Sequence, residues 1–342
     1  NTSKSASARG WDVANLGGTA HTDYDYMRVH TVYDLQNINA KRDGRYILAK
    51  DIDATATKDW NSGEGFVPLG YAFPHFTGRL DGAGHTLRGL HINLHNLVST
   101  GLFSYADGAH IENLSLVDGD VEGDYRVGGI AGSAEGTEIR NVSYAGRVVG
   151  DQNVGGIVGY MKGGSIQNAW NAGAVSGNEY VGGIAGNAGD AAMIQNVCNT
   201  GAITGNEKVG GIAGYTWRTT LQNVWNTGTV TGSQKVGGIV GAANGGTVRH
   251  AVSKTGSAGQ AVGSSINGAD VTTDVKVAPE ADMKLAATYT DWKDAHGNAI
   301  VATEGGVGTP WRIYEGHTTP LLTALMKGTK RLEKVYDGNV FA

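Results

Sequence analysis

The sequence is poor in features that mark several common protein classes. Its 342 residues include one cysteine, Cys198, so no internal disulfide can form. This is neutral about the compartment, because cytosolic proteins and large exported proteins that stay unfolded in transit both lack disulfides. No apolar run approaches the ~20 residues that a membrane helix needs, and we expect no membrane insertion.

Charge is also scarce, at 17% of the residues, and the net charge is −5. Lysine and arginine form no basic block, so nothing favours a nucleic-acid partner or an anionic membrane. The first residues, NTSKSASARG, contain neither an initiator methionine nor a signal peptide. We therefore expect a mature product or an excised segment.

Glycine, by contrast, is abundant, with 55 glycines against 5 prolines. The lack of a G-X-Y period excludes collagen, and a hydrophobic content of 40% argues against a disordered low-complexity chain. We expect the glycines to form tight corners, some of them with positive φ.

A repeated phrase organises these glycines. V-G-G-I recurs at spacings of 27, 27, 28 and 27 residues, beginning at Val127, Val154, Val181, Val209 and Val236. A second phrase keeps the same step, from IENL at residue 111 to VRHA at residue 248. A third begins at Asn171, Asn199 and Asn226. Fixed periods of about 20–50 residues indicate a repeat architecture.

The composition of each repeat favours strands. Glycines interrupt the chain nearly every six residues, and the apolar residues form short β-branched groups such as GIVG, SIQNA and GAVSG. Three short strands per repeat describe one coil of a solenoid, whereas a propeller blade would be longer, near 40 residues, and antiparallel. We therefore predict an all-β fold, a right-handed parallel β-helix with ~27-residue coils.

Stacked coils place equivalent residues about 4.8 Å apart. This predicts that Ile139, Ile166 and Ile194 lie directly above one another in an apolar core. It also predicts a hydrogen-bonded asparagine stack, since each amide offers a donor and an acceptor. The stack comprises Asn113, Asn141, Asn168, Asn196 and Asn223, and His250 ends it.

The repeat pattern suggests five segments. Residues 1–30 form a lead-in, 31–98 a capping helix and irregular coils, and 99–256 the regular coils. Residues 257–333 form an irregular C-terminal cap or linker, and 334–342 begin a following module. The helix is predicted from the helical spacing of Val32, Leu35 and Ile38 in TVYDLQNINAK, because an open solenoid end generally needs a cap.

The repeated phrase, VGGIVG followed by G, I, N, G, V and G at fixed places, resembles the GLUG motif of very large bacterial surface and secreted proteins. The flanks RYILAKDID, FTGRLDGAGHTLRGLHI and WRIYEGHTTPLL look like those of filamentous-haemagglutinin-like exoproteins, and KVYDGNVFA is similar to the start of a YDG repeat. GLUG repeats also resemble the non-catalytic portions of some streptococcal immunoglobulin A proteases.

The resemblance to these exoproteins implies an exported, surface-associated adhesin. It also implies two-partner secretion from a Gram-negative bacterium, with an outer-membrane transporter as a partner during export. The family motifs carry no catalytic residues that could be transferred to this chain.

Parallel β-helices also support polysaccharide-active enzymes, so catalytic residues need to be considered. The acidic candidates are Asp51, Asp53 and Asp81, in the irregular segment 46–98. The stretch LDGAGH is more typical of a turn between strands than of a catalytic signature. His85, His91 and His95 lack a metal-ligand spacing. We expect no catalytic residue, no metal and no cofactor.

The candidate ligand-binding residues are aromatic. Trp170, Cys198 and Trp225 share one repeat position, and Tyr160 and Tyr215 share another, with Trp217 nearby. If they point outward, aromatic rings two coils apart, about 10 Å, could stack on sugar rings. If they point inward they fill the core. The core interpretation is favoured for Trp170 and Trp225. For Tyr160, Tyr215 and Trp217, the outward and the core interpretations both remain open.

The leading hypothesis is a non-enzymatic segment of a secreted or surface-exposed bacterial adhesin. Its partners would be host-cell or matrix glycans and proteins, or neighbouring bacteria. The alternatives are a β-helix lyase or glycosidase with its site in residues 46–98, and a passive spacer stalk.

Overall fold

The computed structural model describes residues 25–270, 273–294, 296–303 and 308–326, together with the backbone of 12–15. The predicted start of a following module at 334–342, and most of the lead-in, lie outside the described residues. Parallel strands that pair from coil to coil dominate the fold, which is the predicted parallel β-helix.

Each regular coil contributes strands to three rows, and every row pairs in parallel with the same row of the next coil. The first row, a six-stranded sheet, carries the V-G-G phrases: Ser99–Thr100, Arg126–Gly128, Gln152–Gly155, Glu179–Gly182, Glu207–Gly210 and Gln234–Gly237. The second row consists of Phe103–Asp107, Ala131–Glu135, Val158–Lys162, Ala185–Gly189, the first halves of Ala213–Asn226 and Val240–Lys254, and Val262–Ile266.

The third row carries the asparagine phrases. It consists of His110–Gly123, Glu138–Val149, Ser165–Asn171, Met193–Asn199, the second halves of Ala213–Asn226 and Val240–Lys254, and Val275–Ala278. Short strands follow it in the later coils, namely Ala174–Ser176, Ile203–Thr204 and Val230–Thr231.

The irregular N-terminal coils stack below this array. Their strands are Asp12–Asn15, Asp25–Val29, Arg45–Leu48, Ile52–Asp53, Arg79–Asp81, Thr86–Arg88 and His91–Leu94. The cap contains Val301–Ala302, Trp311–Arg312 and Leu321–Leu322. The 3-10 segments are Ile38–Ala40, Thr55–Gly63, Asp282–Lys284, Ala286–Tyr289 and Thr323–Leu325.

The predicted N-terminal helix is present as Val32–Asn37. A capping box starts it: the Thr31 hydroxyl accepts a hydrogen bond from the Asp34 backbone N–H at 3.1 Å, and the Asp34 carboxylate accepts one from the Thr31 N–H at 3.0 Å. Val32, Leu35 and, just beyond it, Ile38 are buried in the same core as the coils. The helix therefore covers apolar surface of the N-terminal coils, as a solenoid cap requires.

The apolar columns have the predicted register. Ile139 pairs with Ile166, Ile166 with Ile194 and Ile194 with Leu221, and all four side chains are fully buried. The second glycine of V-G-G is required by the same stacking. A Cβ on Gly156 would lie 2.3 Å from the carbonyl oxygen of Gly183 in the next coil, far inside the contact distance that a Cβ atom tolerates.

The predicted asparagine stack is a continuous hydrogen-bonded ladder. Each side-chain N–H₂ donates to the side-chain oxygen one coil below, at 2.8 Å from Asn141 to Asn113, 2.9 Å from Asn168, 3.3 Å from Asn196 and 3.2 Å from Asn223. At the lower end, Asn113 donates to Asp81 at 3.0 Å. All five asparagines have φ between 53° and 57°, a left-handed conformation that asparagine tolerates better than most residues.

A second ladder runs inside the solenoid and was not predicted. Asn171 donates to Asn199 at 2.7 Å, and Asn199 donates to Asn226 at 2.8 Å. All three side chains are fully buried, and each also donates to the carbonyl two residues on in its own turn. Their signal in the sequence was the asparagine that opens each copy of the third phrase.

Stacking continues beyond residue 256. Val262–Ile266 pairs with Val240–Asn244, and Val275–Ala278 pairs with residues 251–254. The backbone register persists there although the repeat phrase is lost, because parallel pairing needs only main-chain groups. A second apolar cluster then joins the coils to the cap, including Val252, Trp292 and Trp311.

The ladder supports a first prediction, at Asn168. Asn168→Ala removes the ladder bonds and places a Cβ-bearing residue without a local hydrogen bond at φ 54°, whereas Asn168→Gly removes the bonds but tolerates that φ. We expect Asn168→Gly to lower the free energy of unfolding by about 1–2 kcal/mol, and Asn168→Ala by about 1 kcal/mol more, in urea titrations.

The neighbouring Gln167→Ala, on the same strand and half exposed, is the control and should change stability by less than about 0.5 kcal/mol. Equal losses for Asn168→Gly and Asn168→Ala would contradict the role assigned to the left-handed backbone.

Candidate binding surface

At one repeat position of the third row, the C-terminal cap determines which aromatic side chains are exposed. The third row aligns Ser143, Trp170, Cys198, Trp225 and Val252 in register. The last three are buried in the cluster between the coils and the cap. Burial raises the pKa of the Cys198 thiol.

Trp225 is 2% exposed, and its indole N–H donates to the Pro320 carbonyl at 3.1 Å. Its ring lies 6.4 Å from that of Trp311. A side chain enclosed in this way cannot contact a ligand on the surface, so the prediction of Trp225 as a ligand-binding residue is corrected. The core interpretation is right for this residue.

Trp170 occupies the same position two coils earlier but is 38% exposed. Its indole N–H donates to the Thr200 hydroxyl at 3.0 Å. The core interpretation favoured for Trp170 is therefore wrong. The physical reason is that this position faces away from the solenoid interior, and the cap buries it only at Cys198, Trp225 and Val252, in the later coils.

The tyrosines form a column on the second row. Register pairs align Tyr105, Ser133, Tyr160, Asn187 and Tyr215 over successive coils. The three tyrosines are half-buried and alternate with smaller side chains. Neighbouring tyrosines of this column stand two coils apart, about 10 Å.

A parallel position, the residue before Val-Gly-Gly, adds further groups to this column. It is held by Arg126, Asn153, Tyr180, Lys208 and Lys235 in successive coils. The rings of Tyr180 and Tyr215 lie edge to face with centroids 5.6 Å apart. The Arg126 guanidinium lies 4.3 Å from the Tyr160 ring centroid, and the Lys208 ammonium 4.3 Å from that of Tyr180.

Charge pairs hold the lysines in place. Lys208 contacts Glu179 at 2.8 Å and Glu207 at 2.9 Å, and Lys235 contacts Glu207 at 2.9 Å. Burial opposes the charged form of Lys208, but the hydrogen bonds that its ammonium donates to Glu179 and Glu207 outweigh this effect and raise the pKa of this lysine. The hydrogen bonds from Lys208 and Lys235 lower the pKa of Glu207. The charged forms of Lys208 and Glu207 are therefore favoured.

Aromatic contacts extend the column towards the N-terminus. The His75 ring stacks on Tyr105 at 4.0 Å, and Phe73, which is 87% exposed, lies edge-on to His75 at 5.8 Å. The Tyr105 hydroxyl donates a short hydrogen bond to Glu135. Burial, together with this bond, raises the pKa of Tyr105 to about 12, so the phenol is neutral at physiological pH.

Trp217 lies at the other end of the column. It is 39% exposed, two residues after Tyr215 on the same face of its strand, and the Arg218 guanidinium lies 5.0 Å from its ring. The Asn244 side chain donates to the Tyr215 hydroxyl at 2.7 Å, which orients that ring. We call Tyr105, Tyr160, Tyr180, Tyr215 and Trp217 the aromatic strip.

The structure thus brings together three of the five predicted aromatics, Tyr160, Tyr215 and Trp217, and adds two that were missed. Tyr180 carried a usable signal, because it directly precedes V-G-G, where neighbouring coils have asparagine or lysine. Tyr105 lies in a coil whose sequence does not keep the phrase, and only the backbone register aligns it with Tyr160.

The acidic residues of segment 46–98 are engaged in local structure. Asp51 accepts hydrogen bonds from the Thr86 N–H at 2.9 Å and lies 3.1 Å from His85 Nδ1. Asp81 accepts from the Ala83 N–H at 2.8 Å in the predicted turn. The hydrogen bonds from Thr55 lower the pKa of Asp53.

Within the described part of the chain, no three His, Cys, Asp or Glu side chains are grouped as metal ligands. None of its helices is both long enough and apolar enough to cross a membrane.

Parts of this chain are similar to known proteins. Residues 26–146 match the model of the M26 IgA1-specific metallo-endopeptidase N-terminal region. Halomucin of Haloquadratum walsbyi (strain DSM 16790 / HBSQ001) is 38% identical over 137 residues, which cover 38% of this chain and 2% of halomucin. The chain therefore spans a very small part of that relative.

A crystal structure of a "putative immunoglobulin A1 protease" from Bacteroides ovatus matches with a TM-score of 0.58 and 16% identity, over 89% of this chain and 94% of that one. At this identity the likeness shows the fold alone. It confirms that the β-solenoid extends over most of the chain.

These findings correct the prediction that the chain belongs to a non-enzyme. Residues 26–146 are similar to the N-terminal region of a peptidase family, so this chain contains a protease-related segment. The similarity lies in solenoid coils, whose repeat phrase carries no catalytic constellation. The matches are consistent with a secreted or surface protein.

The two tryptophans at one repeat position yield a second prediction. Trp225→Ala should lower the free energy of unfolding by about 3–5 kcal/mol, because it empties the contact between coils and cap. Trp170→Ala is the matched control and should cost less than half as much, since this side chain is partly in solvent. Urea denaturation measures both, and limited proteolysis should show earlier cleavage within 279–326 for Trp225→Ala alone.

Proposed function

We propose that the solenoid is a saccharide-binding module of a secreted or surface protein, and that the aromatic strip is its binding surface. The observation that carries this proposal is the alignment of partly exposed rings along successive coils. Tyrosine and tryptophan present apolar ring faces with a polar edge, the combination that suits a sugar ring.

The dimensions of the strip favour an extended ligand. Tyr105 and Tyr215 are four coils apart, about 19 Å, and small side chains such as Ser133 and Asn187 separate the rings. A chain of sugars lying along the solenoid axis can contact several rings at once. Each contact is weak, and their combined effect supplies the affinity.

Backbone strain supports a functional role for Tyr180. This residue has φ 58°, an unfavourable conformation for a bulky side chain, and the same repeat position also has positive φ at Asn153, Lys208 and Lys235. The coil geometry therefore sets the backbone conformation, and an asparagine, as at Asn153, would meet it at a lower cost in stability than the tyrosine does. In this conformation the Tyr180 ring lies edge to face on Tyr215.

The resulting biological role is that of an adhesin segment, with host-cell or matrix glycans and proteins or neighbouring bacteria as partners. Secretion through an outer-membrane transporter, as in filamentous-haemagglutinin-like exoproteins, remains part of this proposal. The match to the N-terminal region of IgA1-specific metallo-endopeptidases favours a second candidate role. In a protease-related parent protein, the strip would hold a glycosylated substrate such as immunoglobulin A1.

A glycan array tests the proposal. The double variant Tyr160→Ala/Tyr215→Ala should lose at least tenfold in affinity for the glycans that the unaltered chain binds, since two stacking contacts disappear. Trp170→Ala, an exposed tryptophan outside the strip, is the control and should change affinity less than twofold. A chain that binds no glycan, or binding that survives the double variant, contradicts the proposal. Immunoglobulin A1 before and after enzymatic deglycosylation, as an added arm, tests the second role.

The variant Tyr180→Asn should change stability and glycan affinity in opposite directions. Asparagine tolerates φ 58° better, so we expect the free energy of unfolding to rise by about 1 kcal/mol while glycan affinity falls several-fold. Denaturation midpoints and array titrations on the same preparation measure the two effects. A variant that is less stable, or that binds glycans as before, would show that the tyrosine serves packing.

A further inference from the structure

A polar cleft lies between the third row of the later coils and the C-terminal cap, away from the aromatic strip. Its volume is about 720 Å³. The coil wall includes Gln222, Asn223, Arg249 and His250, and the cap wall includes Lys293 and Asn298. A volume of this size is sufficient for a small ligand.

The coil wall is built from two adjacent columns. Gln195, Gln222 and Arg249 are in register over three coils, so their planar polar groups repeat about every 4.8 Å. The amides offer donors and acceptors side by side. The Gln222 side-chain oxygen accepts from Arg249 Nε at 3.0 Å and from Arg249 Nη2 at 2.6 Å, which fixes the guanidinium and leaves further N–H groups for a ligand.

The second column contains an unpartnered buried acceptor. Asn223 is 1% exposed, and its side-chain oxygen has no hydrogen-bond partner among the described residues. In each lower coil this oxygen accepts from the asparagine above, but His250 replaces that asparagine, and its Nδ1 lies 3.5 Å from Asp274. A buried acceptor without a donor costs about 1–3 kcal/mol. The ladder therefore ends in an acceptor without a donor, the Asn223 side-chain oxygen, at the edge of the cleft.

The charges of the cleft favour an anion. Arg249 and Lys293 supply positive charge from opposite walls. The Asp294 carboxylate is held in its own turn, by the Asn298 side chain at 3.0 Å and by the backbone N–H groups of His296 and Asn298. The Asn298 hydrogen bonds lower the pKa of Asp294. Asp274 lies against His250 and pairs with Lys276 at 2.7 Å.

We propose that this cleft is a second binding site, for a saccharide that carries a carboxylate. The carboxylate binds Arg249 with support from Lys293, a hydroxyl donates to the Asn223 oxygen, and further hydroxyls pair with the amides of Gln195 and Gln222. Neighbouring donors and acceptors suit adjacent sugar hydroxyls. An acidic peptide would share the negative charge but lacks the adjacent hydroxyls that the amides of Gln195 and Gln222 would pair with.

Isothermal titration of the whole chain tests the site, with trigalacturonate and N-acetylneuraminate as carboxylated probes. Trigalactose is the neutral control, and a glutamate hexapeptide represents acidic peptides. We expect at least one carboxylated probe to bind, with affinity falling as salt is raised. Arg249→Gln should weaken it at least tenfold, and Lys41→Gln, which removes a distant exposed cation, should not.

His250→Asn is the sharper variant. Asparagine suits φ 50° at this position and extends the ladder, so it can donate to the Asn223 oxygen. We expect a higher denaturation midpoint together with at least threefold weaker saccharide binding, because the ligand no longer satisfies this acceptor. Loss of binding without gain of stability would contradict the role given to Asn223.

Three further binding results would contradict the proposed saccharide site. Failure of both carboxylated probes to bind, equal binding of trigalactose, or tighter binding of the glutamate hexapeptide overturns the proposal. The Tyr160→Ala/Tyr215→Ala variant should bind the carboxylated probe unchanged, so that failure of the aromatic strip and failure of the cleft are separate results.

Discussion

The fold depends on the stacking of each coil on the next. A single coil has too little chain to bury its own apolar face, so it gains a core only from neighbours in register. Parallel main-chain hydrogen bonds provide the register, and the two asparagine ladders continue it through side chains, one at the surface and one in the interior. The left-handed φ of the outer ladder turns the chain, and its amides join adjacent turns, so that one residue type serves both geometry and cohesion.

Stacking also explains how this fold makes binding surfaces. Any outward position recurs in a straight column, and a few substitutions along that column produce an extended site. The aromatic strip arises where tyrosine alternates with smaller side chains, and the polar cleft arises where the asparagine ladder stops at His250. The core positions stay apolar and buried in both places, as at Ile194, Leu221 and Val248. Binding specificity can therefore differ between coils while the scaffold is maintained.

The relationship to a peptidase N-terminal region fits this separation of scaffold and surface. The sequence indicated the repeat, its period and a secreted or surface class of relatives, but its repeat phrase holds no cluster of catalytic side chains that would point to a peptidase family. The match to the peptidase region covers residues 26–146, where the signal is the coil sequence itself. The halomucin match, confined to 2% of that protein, shows that a similar stretch of sequence also occurs within a far longer chain.

The sequence by itself determined the coil period, the buried isoleucine columns, the outer asparagine ladder and the capping helix, because each follows from local spacing repeated at a fixed step. Only the tertiary structure decided that Trp225 is buried and Trp170 partly exposed. The two residues share a repeat position, but the cap encloses Trp225. The tertiary structure also placed Tyr105 in the strip and left the Asn223 oxygen without a donor. These outcomes rest on contacts between distant segments, which a local repeat pattern does not encode.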